Sequence, residues 1–205
     1  MESESPRPSS PDFAALRSEE LAQRAAAGCA DAFGVLVARH EGSLVRFLRA
    51  RAATRADAEE LAHEVFVHAW RKLAHYDAEQ AFPPWLFTLA RNLAISRARR
   101  RRKAPESDEV LAMIGVHADP ARAEVEREVA SGLWAIADRV LTREQREALW
   151  LRYAEDLSAE EIGAVLGKRA VAVRVLLFRA RECLERQLAL DAERRSHAGP
   201  AHARV

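Results

Sequence analysis

The chain has 205 residues, of which 49 % are hydrophobic and 31 % charged, with a formal net charge of +1. That length suits one ordinary domain or two small ones, and the apolar share is enough for a packed core. A near-neutral balance gives no global sign of a nucleic-acid binder, so the distribution of charge has to decide. Two cysteines, Cys29 and Cys183, exclude a four-thiolate zinc site and a dense disulfide frame, and point to a reducing cytoplasm. No apolar run reaches the roughly 18 residues of a membrane span. The N-terminus, MESESPRPSSPDF, is acidic, rich in Ser and Pro, and lacks the apolar stretch of a signal peptide. Residues 1–17 are therefore expected to form a disordered tail.

Helical patterns follow one another with no sustained period-two alternation, so the expected fold is all-α. A first helix is predicted over 18–27, ending at Gly28. A second covers 31–52, where Phe33, Leu36, Val37, Leu44, Val45, Phe47 and Leu48 recur at helical steps. A third runs over 57–73, with Thr54 as its cap. The loop AHYDAEQAFPP follows, and Pro83 and Pro84 suit the first turn of the next helix, which is predicted over 85–102. Its predicted buried stripe is Trp85, Leu86, Leu89, Leu93 and Ala94. The pattern breaks over 104–120, read as a linker with one helical turn near 110–113. A helix is predicted over 121–140. Thr142 with Gln145, and Ser158 with Glu161, have capping-box spacing. They open helices over 143–153 and 159–166, and Gly167 suits a left-handed C-terminal cap. A basic helix is predicted over 170–190, with a disordered tail over 191–205.

Two stretches carry chemistry. Arg97 to Lys103 reads RARRRRK, six cations in seven positions. A helix C-terminus accounts for one or two cations at about 0.3–1 kcal/mol each. Six so close together repel one another and fit a strongly anionic partner such as a phosphate backbone. Arg91 and Asn92 precede the block by one or two turns, where they are able to touch a base while the block holds the backbone. The second stretch is the short helix, glycine turn and longer helix of 159–190, a helix-turn-helix. Lys168 and Arg169 stand at the start of its second helix, where such motifs meet base edges. Arg174, Arg179 and Arg181 follow along it.

Three segments together resemble bacterial RNA polymerase sigma factors of the extracytoplasmic-function group, in the sigma-70 family. They are DAEELAHEVFVHAWRKLAHYD, PWLFTLARNLAISRARRRRK and LTREQREALWLRYAEDLSAEEIGAVLGKRAVAVRVLLFRARECL. The likeness spans about 31–188. It implies two small helical domains joined by a flexible linker. Residues 18–103 would bind the polymerase clamp and open the minus-ten promoter element. Residues 104–125 would be the linker, and 126–190 a helix-turn-helix domain of tri- or tetrahelical type, contacting the polymerase flap and the minus-thirty-five element.

By position, the resemblance implies polymerase contacts for Asp57, Glu60, His63 and Glu64. It implies minus-ten contacts for Tyr76, Asp77, Arg91, Asn92, Arg97, Arg99 and Arg100. It implies minus-thirty-five contacts for Lys168, Arg169, Ala172, Arg174 and Arg179. Arg169, Leu176 and Phe178 depart from the family pattern, which leaves the usual minus-thirty-five preference open. The implied partners are core RNA polymerase, promoter DNA and an anti-sigma factor. A cytoplasmic monomer without cofactor, metal or catalytic residue is expected, held at the inner face of the membrane where its anti-sigma factor sits there.

An enzyme is disfavoured by the motifs. His63 and His68, five apart, diverge by about 140° on a helix, so they do not form the four-residue histidine pair of a zinc protease. No glycine-rich phosphate loop or nucleophile elbow occurs. A helix-turn-helix repressor acting on duplex operator is the alternative. It explains 142–190 but not the cations of 91–103.

Overall fold

The computed structural model describes residues 13–103 and 124–197, and the regular structure of the described residues is all helical, without a strand. The helices are α1 (Ser18–Ala26), α2 (Ala30–Arg49), α3 (Arg55–Lys72), α4 (Phe82–Lys103), α5 (Glu124–Val140), α6 (Arg143–Tyr153), α7 (Ala159–Leu166) and α8 (Ala170–His197). Short 3-10 turns lie at Phe13–Ala15 and Leu73–His75. None of these helices is long and apolar enough to cross a membrane. The linker turn expected near 110–113 lies outside the described residues.

Helices α1 to α4 pack around Leu21, Leu36, Leu44, Phe47, Val65 and Leu86, all essentially shielded from solvent. Helices α5 to α8 pack around Leu151, Ile162, Val165, Val173 and Ala180. The local signals act as expected. The Thr54 hydroxyl accepts from Asp57 N–H at 3.0 Å and caps α3. Both capping boxes form: Thr142 N–H donates to Gln145 Oε1 at 2.9 Å, and Ser158 N–H to Glu161 Oε2 at 2.8 Å. Gly167 ends α7 with φ +63°, in the left-handed region.

Elsewhere tertiary contacts extend or rephase the elements. Residues 13–17 of the expected tail are packed: Phe13 and Leu16 lie on the core, and the Arg24 guanidinium lies 5.7 Å over the Phe13 ring. Helix α4 starts at Phe82, not Trp85, because Phe82 N–H donates to the Glu19 carboxylate of α1 at 3.0 Å. Its buried stripe is Phe82, Leu86, Phe87, Ala90 and Ala94, whereas Trp85, Leu89 and Leu93 are half-buried. Phe87 packs edge-on against Phe47 of α2, ring centres 5.1 Å apart. Helix α8 runs to His197, into the expected tail. Asp191 anchors that extension through Gln187 Nε2 at 3.0 Å and Arg139 of α5 at 3.7 Å.

His40 is one of the few buried polar side chains. Its Nε2 lies 2.9 Å from Ser18 Oγ and its ring centre 5.4 Å from that of Phe82. Burial, reinforced by Arg39, lowers its pKa to about 4, against a smaller opposing pull from Glu19. The folded chain thus holds His40 neutral where the unfolded chain protonates it, near pH 6.5. This contribution is complete above about pH 6.5 and is lost as pH falls towards 4. We expect acidification across that window to cost roughly 3 kcal/mol of stability through this side chain. Denaturant unfolding at a series of pH values checks it: His40→Gln should flatten the slope between pH 6.5 and 4.

Candidate nucleic-acid interface

Helix α3 turns Leu61, Val65 and Ala69 into the core, which leaves Glu60 and His63 exposed and Asp57 and Glu64 partly so. These four residues are expected to meet polymerase, and Arg97 of α4 joins the three acidic ones. Its guanidinium lies 2.5 Å from Glu60, 3.7 Å from Glu64 and 3.9 Å from Asp57. The hydrogen bond to Glu60 is the main cause of a raised Arg97 pKa. Arg97, expected to touch the minus-ten element, pairs with the acidic face in this structure. Beyond it, His63, His68, Arg71 and Arg100 line an open groove of about 310 Å³ between α3 and α4. Asn92, Arg99 and Arg100 are exposed.

The loop before α4 is tied down from inside. Tyr76 Oη donates to the Gln80 carbonyl, and Asp77 Oδ1 accepts from Glu79 N–H at 3.0 Å. The half-buried Tyr76 ring sits 5.0 Å from Trp85 and 5.8 Å from Phe82, centre to centre. Burial, with Glu19 and Asp77 nearby, pushes its phenol up to about 12. Asp77 stays exposed at the tip of the loop. Tyr76 thus offers a ring edge, with its hydroxyl already engaged.

In the helix-turn-helix, a Cβ on Gly163 would stand 2.6 Å from the Lys168 carbonyl, so only glycine lets the turn close on α7. That closure sets the start of α8. Arg169, Ala172 and Arg179 are exposed, and neither arginine has an ion-pair partner among the described residues. Lys168 pairs with Glu144 at 3.0 Å, and Arg174 with Glu160 at 2.6 Å. Leu176 is half-buried against the core, which removes it from the outer face, whereas Phe178 is exposed. Two further exposed side chains, Val171 and Val175, went unnoticed in the sequence. Helical phase from the buried Val173 and Leu177 would have found them.

The two helical groups touch. Helix α4 packs on α7, and Arg46 near the end of α2 reaches Trp150 of α6. Arg51 Nη2 lies 2.6 Å from Glu147 Oε2, both side chains buried at 8 % and 1 % exposure. Burial raises the Glu147 pKa, opposed mainly by Arg51. Ser43 donates to Glu155, whose carboxyl burial pushes up to about 7, and Arg46 stacks 5.5 Å over the Trp150 ring. Arg91 is drawn into this contact: its guanidinium reaches the vicinity of Gly167. It is half-buried there, not displayed beside Asn92.

Residues 36–104 match the family description "Sigma-70 region 2", and residues 139–184 match "Sigma-70, region 4". The chain is 33 % identical over 184 residues to the ECF RNA polymerase sigma factor BldN of Streptomyces coelicolor, covering 88 % of this chain and 69 % of that one. It is 30 % identical over 184 residues to the RNA polymerase sigma-H factor of Pseudomonas aeruginosa, covering 83 % and 93 %. Among solved structures, CnrH in complex with the cytosolic domain of CnrY superposes with a TM-score of 0.58 at 29 % identity, covering 85 % of this chain and 98 % of that one. The sigma factor RpoE with the anti-sigma factor NepR, from Bartonella quintana, gives 0.62 at 25 %, covering 78 % and 98 %.

The contact between the helical groups makes a measurable prediction. Arg51→Ala leaves Glu147 buried without its ion partner, a change that costs about 3–5 kcal/mol in comparable pairs. The contact should open, and small-angle scattering should report a larger radius of gyration while helix content is retained.

Proposed function

The chain belongs to the extracytoplasmic-function sigma factors of the sigma-70 family, and we propose that its α3 face binds core RNA polymerase while α4 and α8 engage two promoter elements. As a family member it is a transcription initiation factor that directs polymerase to promoters. In this reading Asp57, Glu60, His63 and Glu64 meet the polymerase clamp. Tyr76, Asp77, Asn92, Arg99 and Arg100 engage the minus-ten element, joined by Arg91 once it is released. Lys168, Arg169, Ala172, Arg174 and Arg179 engage the minus-thirty-five element. The protein acts in the cytoplasm, by binding and not by catalysis.

One observation supports this division most directly. Exposed cations stand at two separate helices: Arg99 and Arg100 on α4, and Arg169 just before α8 with Arg179 along it. A repressor with a single helix-turn-helix has no use for the first pair. The two elements lie about 25 base pairs apart, roughly 85 Å of duplex. The 22 residues of α4 span only about 33 Å. On this reading the α4–α7 contact opens when both elements are held. The solved complexes of CnrH with CnrY and of RpoE with NepR support an inhibitory partner of the same kind here.

Run-off transcription with purified core polymerase and genomic fragments tests the reading: discrete starts should depend on this chain, and their absence from every fragment would refute it. Within that system, Arg99→Ala with Arg100→Ala should flatten the dependence of log affinity on log salt by about two units. An unchanged slope would mean that these arginines touch no phosphate.

A further inference from the structure

Helix α8 carries an apolar strip on the face turned away from its own core. Val171, Val175 and Phe178 are 67 %, 44 % and 63 % exposed. At about 100° per residue they fall within about 60° of one another, opposite the buried Val173, Leu177 and Ala180. Arg174 and Arg179 flank the strip, one on each side. Three adjacent branched or aromatic side chains in water represent unspent apolar surface, so the strip is expected to have an occupant.

The shape and the charge of the surroundings identify it. The strip is the crest of a single helix, a ridge and not a groove, so its partner must be concave. Its flanks are cationic, so that partner must be anionic at its edges. The major groove of duplex DNA meets both conditions: it is about 12 Å wide, admits one helix and is bordered by phosphates. The apolar group that base pairs present on the floor of that groove is the 5-methyl of thymine.

We infer that Val171, Val175 and Phe178 are specificity-determining residues that read thymine methyl groups, so that the upstream element of this protein's promoters carries A·T pairs beneath α8. The inference rests on the assignment of α8 to the minus-thirty-five element and goes beyond it, since that assignment names Lys168, Ala172 and three arginines but none of these three side chains. Arg174 and Arg179 then straddle the strip and hold the phosphates or purines on either side. Arg174 exchanges its exposed Glu160 partner for DNA.

The test uses holoenzyme, formed from the full chain and core polymerase, on a promoter found by run-off transcription. Each thymine of the upstream element, on either strand, is replaced singly by deoxyuridine, which removes the methyl and leaves base pairing intact. Affinity should fall by about fourfold at one or more positions, the effect of one buried methyl-sized group. Val175→Ala and Val171→Ala are exposed changes, and each should abolish the sensitivity at one position while leaving the others. Indifference to every replacement, persistence of the sensitivity in the variants, or an upstream element without A·T pairs would overturn the inference. If initiation persists in those cases, the family function stands. Absence of initiation from every fragment would overturn the reading on which the inference rests.

Discussion

The Arg51–Glu147 ion pair ties the two helical groups together, and the contact it anchors also holds Arg91 of α4 against the Gly167 turn. The pair is nearly dry, with Glu147 at 1 % exposure. Taking two ions out of water costs several kcal/mol each, and their attraction offsets that only in good geometry. Apolar side chains of equal volume would hold the groups together at least as well. What the ions add is direction, because only one docking geometry pairs them, together with release, because water rehydrates both once they separate. The cation over Trp150 and the hydrogen bond to Glu155 repeat that choice around the rim. On the proposed reading the contact is therefore specific without being permanent, as a chain that spans two distant elements requires.

The same economy of charge explains how a protein of net charge +1 serves a polyanion. Several of its candidate DNA-binding cations stand beside its own carboxylates. Lys168 lies against Glu144 and Arg174 against Glu160, in exposed pairs of the kind that contribute only about 0–1 kcal/mol. Such pairs are readily exchanged for phosphate. Arg97 differs, since three carboxylates surround it. A phosphate would have to displace all of them, so its chief part is to hold α4 against the acidic face of α3.

What the sequence made legible follows from the range over which each signal acts. The capping boxes at Thr142 and Ser158 and the left-handed Gly167 are decided within a few residues, and each stands where expected. The phase of α4 was misjudged because Phe87 is fixed by Phe47, on another helix. The family resemblance places Arg97 beside the minus-ten element, and no local pattern shows that its neighbours in space are acids of α3. Arg51 and Glu147 stand 96 residues apart, and no local pattern links them. The length of α8 is set partly the same way, since Asp191 reaches Arg139 only when α5 is alongside. The apolar crest of α8 is a different case. Its residues were in plain sight, but a valine reads as buried until the core face is known.

Helix α4 shows how these constraints combine. Its first turns hold the Tyr76 loop, its middle gives Arg91 to the contact with α7, and its last described side chains, Arg99 and Arg100, stand free in solvent. On the proposed reading these parts act in order. The exposed end meets phosphate without any rearrangement, since nothing among the described residues covers it. Arg91 is able to follow only when α7 leaves, and α7 carries α8 with it through the tight Gly163 turn. Release of Arg91 and delivery of α8 to the upstream element are then one movement, because a single rigid turn links the surface that covers the first site to the helix that fills the second.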